Sequence, residues 1–315
     1  MFGNRVLKGV ILVGLGATSY GMLATFVKLA YSDIGISGKP FTPAEVITSQ
    51  FILGILVIFL INVFQKAKKG TEVVKASGNN IKQLMLAGTS TGLTSIFYYL
   101  AVIYIPVSIG IVLLMQTVWM GVILEMILEK KRPSNIKIIA VFIVLIGTVL
   151  ATNLIQNETE LDWRGIVLGL LAAASFTTTM FASSRVAIEI SSAQRSLYML
   201  LGGAVVVFIF AIATQNTPFN FDIFYKWGIL LAIFGTIIPP MLMNAGFPHT
   251  GIGLGSIVAS LELPVSVTMA FIILNEKVIF TQWLGIVLII LAIIIMNINF
   301  KKKQPHEIDV FQQKS

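Results

Sequence analysis

The sequence predicts an all-α integral membrane protein: ten transmembrane helices arranged as two five-helix inverted repeats. Three observations lead there: an extreme composition, ten apolar stretches of membrane-spanning length, and a chain that matches itself at a nearly fixed offset. Of 315 residues, 56% are hydrophobic and 11% charged, where a soluble domain carries roughly a quarter charged residues. A spanning helix needs about 20 mostly apolar residues, so ten of them with short connections use nearly the whole chain and leave no room for a separate soluble domain.

The apolar stretches fall near 8–31, 44–64, 82–103, 106–128, 136–155, 164–186, 195–214, 224–247, 250–274 and 281–299. In lipid each must satisfy its backbone hydrogen bonds within itself, which selects helix. Arg5 and Lys8 before the first stretch resemble a signal peptide, but the apolar run exceeds a signal core of about 7–15 residues and shows no clear small-residue cleavage site. It reads as an uncleaved first helix. The polar tail, 301–315, is expected to be disordered and cytoplasmic.

The connections settle the expected orientation. Those on one side, together with the termini, hold 17 of the 22 Lys and Arg residues, including Lys66, Lys130, Lys131, Arg132, Arg185 and Arg195. The opposite loops hold four, Lys39, Arg164, Lys226 and Lys277. By the positive-inside rule both termini are cytoplasmic, with a bacterial inner (plasma) membrane the expected location. The formal charge of +8 is therefore read as membrane-flanking rather than as a nucleic-acid footprint. With no cysteine and two histidines, His249 and His306, thiol chemistry and a histidine-rich metal site are excluded, and no cofactor is expected.

A shift of 156 lays Gly9 to Ser19-Tyr20 on Gly165 to Ser175-Phe176, and a shift of 147 lays Gly88-Thr89 on Gly235-Thr236 and Glu129-Lys130 on Glu276-Lys277. Residues 1–155 and 156–300 are thus expected to be repeats. With five spans each, the second enters the membrane upside down, as in many secondary transporters whose sites lie near the midplane.

The Gly-rich first and sixth helices with Ser19-Tyr20-Gly21 and Ser175-Phe176, the run Ser260-Leu261-Glu262-Leu263-Pro264-Val265, and Asn275-Glu276-Lys277 together resemble an EamA-type member of the drug/metabolite transporter superfamily, over residues 8 to 299. That family usually reads Leu-Glu-Pro-Val in the ninth helix and ends it in Gly-Glu; here Leu263 is inserted before Pro264 and Asn275 stands where glycine is usual. The resemblance implies a ten-helix carrier for amino acids, related metabolites or drugs, often exporting them.

Glu262 is the foremost candidate: a carboxylate in mid-span costs several kcal/mol unless paired, protonated or hydrated. It reads as a proton-coupling or amine-binding group, or else as a structural lock. Gly251, Gly255 and Ala259 form a small-residue ladder nearby, permitting close helix approach. Gly14, Thr18, Gly21, Thr25 and Lys28 share one face of the first helix, matched in the sixth by Ala174, Thr177, Phe181 and Ser184; that face either bounds a pathway or packs. Lys28 could attract an anionic group, pair with Glu262 as a coupling partner, or snorkel to the interface. Gln116 beside Trp119 and Met120, with Tyr98 and Tyr99, suits a small organic ligand or core packing. Ser266 shares a face with Glu262, while Asn244 follows Pro239-Pro240, a kink that is either static or a gate. Glu125, Glu129 and Glu276 read as caps or ion pairs near helix ends.

No phosphate-binding loop and no nucleotide-hydrolysing domain are present. The expected function is therefore a secondary transporter, a proton-coupled exporter of amino acids or amphiphilic drugs, working in the bilayer as a monomer or homodimer. The competing readings are an intramembrane enzyme, for which a lone His249 offers no constellation, and a receptor.

Overall fold

The computed structural model describes residues 2–36, 38–67, 74–105, 107–153 and 162–303. The expected tail falls largely outside them. Among these residues the chain is helical, with one isolated bridge between Ile34 and Pro40 in place of any strand. The helices are α1 (Phe2–Ser32), α2 (Pro43–Ala67), α3 (Gly78–Tyr104), α4 (Val107–Leu114), α5 (Thr117–Glu129), α6 (Asn135–Ala151), α7 (Trp163–Arg185), α8 (Ser192–Thr214), α9 (Ile229–Leu231), α10 (Ile238–Ala259), α11 (Glu262–Ile273) and α12 (Phe280–Lys303). By length and composition, seven stretches among the described residues could cross a membrane, one of them the 50-residue run Phe224–Ile273; Asn135–Ala151 and Phe280–Met296 are shorter apolar helices. Large apolar side chains such as Phe64, Phe142, Ile209 and Ile212 point outward, a surface that water would penalise and lipid would not.

Three expected spans are less regular than the hydropathy implied. The fourth is broken between α4 and α5 at Met115-Gln116. The eighth starts in π-helical turns, Phe224–Gly228 and Ala232–Ile237, which flank α9 and lead into Pro239-Pro240. Proline donates no N–H, and the wider turn is one way to absorb the missing bonds. No loop separates the eighth and ninth stretches: α10 runs through both and turns at Gly251, whose φ of 70° favours glycine. The expected ladder is accordingly replaced by a turn at Gly251 and by Gly255 folding against Phe247 and Thr250 of its own segment.

Helix ends segregate to two sides. At one, Lys226 pairs with Asp33 at 3.3 Å, the Arg164 guanidinium lies 4.4 Å from the Tyr104 ring, and Gln282 donates to the Ala151 carbonyl at 3.0 Å. At the other, Arg185 pairs with Glu129 at 3.3 Å and Asn80 donates to Glu189 at 2.8 Å. Glu45, 2% exposed, closes a capping box with Thr42 and also accepts from Gln215 Nε2 (3.0 Å) and the Asn220 N–H (2.8 Å), tying α2 to the chain after α8. Asn275 adopts φ 53° after α11; asparagine is among the few residues that tolerate the left-handed region where glycine would be the default.

Packing repeats between the halves. α1 lies along α10 and α11, as α7 lies along α3 and α4; α3 crosses α8, as α2 crosses the second π-helical turn; α6 pairs with α12. The breaks at Met115 and Ser260 and the left-handed residues Lys130 and Asn275 share one spacing of 145 positions (115 to 260, 130 to 275). Glu129-Lys130 is therefore two residues out of register with Glu276-Lys277 in the fold.

Asp33 receives the Trp227 indole N–H at 2.9 Å as well as Lys226. These donors, the indole foremost, hold its carboxyl below the usual carboxylate range. A depressed folded value stabilises the protein above the unfolded pKa and is lost as pH falls through the folded one. Asp33→Asn is expected to flatten the acid limb of a thermal-stability profile below about pH 4, with values near neutrality lowered; an unchanged acid limb would show that the contact contributes nothing.

Candidate functional site

The site begins at two chain breaks in mid-bundle. Pro264 has no N–H to give the Ser260 carbonyl, which takes the Leu263 N–H at 3.2 Å instead. The helix restarts with Glu262 in its first turn, where exposed N–H groups favour a carboxylate. Glu262 lies deep in the bundle and is half-buried. Among the described residues no side chain or backbone group bonds its carboxylate.

Tyr20 of α1 and Tyr98 of α3 lie within electrostatic range of Glu262. Tyr20 approaches because α1 carries Gly21, where a Cβ would strike the Glu262 carbonyl and Val265. Gly14 likewise faces Leu261 and Val258. The glycines of this face thus bring α1 against the start of α11. Tyr20 meets Phe176 edge-on, ring centroids 6.1 Å apart, so the residues that align in the repeat also touch in the fold.

Beyond Tyr20 is a cavity of about 20 Å³ between α1, α3, α7, α8 and α10, room for a water molecule but not an organic solute. Thr91, Thr179, Ser183, Ser196 and Asn244 supply polar groups to it, and Phe176, Met180, Met199, Met243 and Phe247 apolar walls. Asn244 donates to Ser196 Oγ at 2.9 Å, while its Oδ1 is buried with no partner among the described residues.

The other expected site residues are dispersed. Gln116 spends its amide at its own break, donating to the Val112 carbonyl at 3.0 Å and accepting the Trp119 indole N–H at 2.8 Å. Tyr99 packs edge-on to Tyr98 and Tyr31. Thr25 is buried, Thr18 and Ser266 half-buried, and none of the three borders the cavity. Lys28 pairs with Glu276 at the exposed end of α11, not with Glu262. Glu125 pairs with Lys137 and accepts the Gly253 N–H at 3.3 Å, capping the chain just past the Gly251 turn.

Two residues escaped the sequence reading. Tyr20 stood in a quoted motif without a role, and its place before Gly21 was the available signal. Arg195 was counted among the loop cations but lies in the first turn of α8 at 1% exposure. Its guanidinium donates to the carbonyls of Val186 (3.0 Å), Ala182 (3.1 Å), Ser183 (2.5 Å) and Asn244 (2.5 Å). The first three belong to the last turn and cap of α7, where carbonyls run short of helical donors; that of Ala182 also accepts the Val186 N–H at 2.9 Å.

A solved crystal structure of another protein shares the fold, with a TM-score of 0.73 over 93% of this chain and 97% of that one, at 14% identity. No curated protein matches the sequence. The family model for the EamA-like transporter family matches twice, over residues 7–153 and 163–298. Membrane-length apolar helices, a packing pattern that recurs in two halves, and a double match covering most of the chain lead to one conclusion: the chain belongs to the EamA-like transporter family of the drug/metabolite transporter superfamily.

Proposed function

We propose that the protein is a secondary carrier of ten spans in two inverted five-helix repeats, alternately opening a central site to the two sides of a bacterial plasma membrane. The ten spans follow if Phe224–Ile273 crosses twice, turning at Gly251, and the two shorter apolar helices each cross once. The exchange of packing partners between halves supports a two-fold relation between them. The greater number of Lys and Arg at the Arg185 end supports a cytoplasmic position for that end and for both termini.

Glu262 carries the functional reading: a deep carboxylate at a helix break, without a bonded partner among the described residues, beside a tyrosine that walls the cavity. Such a group can take a proton or a substrate ammonium and release it when its surroundings change. The substrate class is small amphiphilic metabolites such as amino acids, or comparable drugs. Hydroxyls and an amide can orient polar groups of such a solute while methionine and phenylalanine flank its apolar part. The cavity is too small for a solute, as expected of a closed conformation, and export is the expected direction.

The test is transport of labelled amino acids and cationic drugs in liposomes, with and without an imposed pH gradient. Wild type is expected to respond to the gradient, and Glu262→Gln to lose about a hundredfold or more of that response, the range contributed by positioned proton-transfer groups. Normal gradient-driven transport by Glu262→Gln at every pH would remove the coupling role.

A further inference from the structure

We propose that Arg195 is a latch holding the Arg185 end of the carrier closed, through its bond to the Asn244 carbonyl. It rests on the alternating-access reading above, and on four features of the fold.

First, Asn244 sits four residues before Pro248 in α10. A helical carbonyl expects the N–H of the residue four positions on, and proline has none. The Asn244 carbonyl is thus free to accept from elsewhere, and Arg195 Nη1 occupies it. Second, the guanidinium's other hydrogen bonds go to carbonyls at the end of α7 and in the turn to α8. One rigid fork therefore joins three elements, α7, α8 and α10, at a single end of the bundle. Third, Arg195 bonds no carboxylate among the described residues; Glu189 acts on it only through space, and its hydrogen bonds go to carbonyl dipoles, including those at the negative end of α7. A bond of that kind to an adaptable backbone carbonyl can be exchanged for water when the end opens, without leaving a buried carboxylate behind. Fourth, the latch adjoins the cavity: Ser183 and Asn244, whose carbonyls it binds, and Ser196, next in sequence, all line it. Holding Asn244 in place also aims its unpaired Oδ1, so closure and the shape of the polar wall are linked.

In the carrier cycle, the α7–α8 turn and α10 must separate for the cavity to open at this end. The Arg195 to Asn244 bond breaks in that step and re-forms on closure, while the bonds to α7 travel with the α7–α8 turn.

The chain has no cysteine, so a single introduced thiol reports on the cavity without background. Ser183→Cys places it on the cavity wall, and Lys131→Cys, exposed at the same end, reports which way the protein sits in each liposome. A membrane-impermeant maleimide is added from the Arg185 end. Arg195→Lys keeps the charge but loses the fork, and Pro248→Ala returns a helical N–H to the Asn244 carbonyl. Each is expected to speed labelling of Ser183→Cys about tenfold, the effect of one hydrogen bond to a charged group. The double variant should be no faster than either single, because both remove the same bond.

Unchanged labelling in folded Pro248→Ala overturns the latch, and so do additive effects, which would mark two independent packing defects. If Arg195→Lys does not fold, Pro248→Ala decides alone. Labelling needs no substrate, so a failure to find transport and a failure of the latch are read separately.

Discussion

Gly202→Val is expected to yield little or no folded protein by size-exclusion chromatography in detergent. A Cβ at Gly202 would run into the Met85 carbonyl, and one at Gly88 into the Met199 carbonyl. α3 and α8 thus cross with backbone against backbone, the contact that small residues permit between membrane helices. Overpacking costs about 1–3 kcal/mol where side chains can yield. Here the obstacle is main chain, so about 3 kcal/mol or more is expected, a large part of a typical stability. The related crossing in the other half differs: a Cβ at Gly54 meets the Thr236 side chain. Gly54→Val should be milder, at the cost of the Thr236 bond to the Gln50 carbonyl, now 2.9 Å. Gly78→Ala, where nothing lies within 4 Å, is the control and should leave stability nearly unchanged. A folded, fully stable Gly202→Val would show that the crossing can relax.

Lys137→Met is expected to lower stability by about 2–4 kcal/mol, below the range for breaking a fully buried pair because some water reaches this one. The Glu125 and Lys137 side chains are 13% and 12% exposed, and without the ammonium the carboxylate keeps the Gly253 N–H as its remaining partner. Glu125→Gln leaves the Lys137 ammonium without its carboxylate but should cost less, since the amide oxygen can still accept from both the ammonium and the Gly253 N–H. Combining the two should recover part of the Lys137→Met loss, and thermal unfolding of the four proteins forms the cycle. Equal losses for both singles, summing in the double, would mean that the two side chains do not interact. The pair also holds the turn at the start of the stretch that leads, past the end of α10, to α11.

The helical class and membership of the EamA-like family were legible in the sequence because each depends on local information. Hydropathy is counted residue by residue, and a backbone in lipid must bond within its own segment. The doubled pattern of glycines and polar residues shows in an offset alone. Breaks were less legible: Pro264 and Gly251 were visible, but a gap in α4–α5 at Met115-Gln116, with no proline or glycine in it, left no mark in hydropathy.

What only the tertiary structure decided is which side chains meet. Lys28 and Glu276 are 248 positions apart, and Glu125 and Gly253 are 128 apart. Such pairings follow from crossing angles and close approaches, which spacing along one helix does not encode. Arg195 makes the point most sharply. Its charge and its place before an apolar run assign it to a loop, because sequence counts a cation as a demand for water. The fold meets that demand with four carbonyls, one of them the Asn244 oxygen that Pro248, 53 positions beyond Arg195, cannot reach with a backbone N–H.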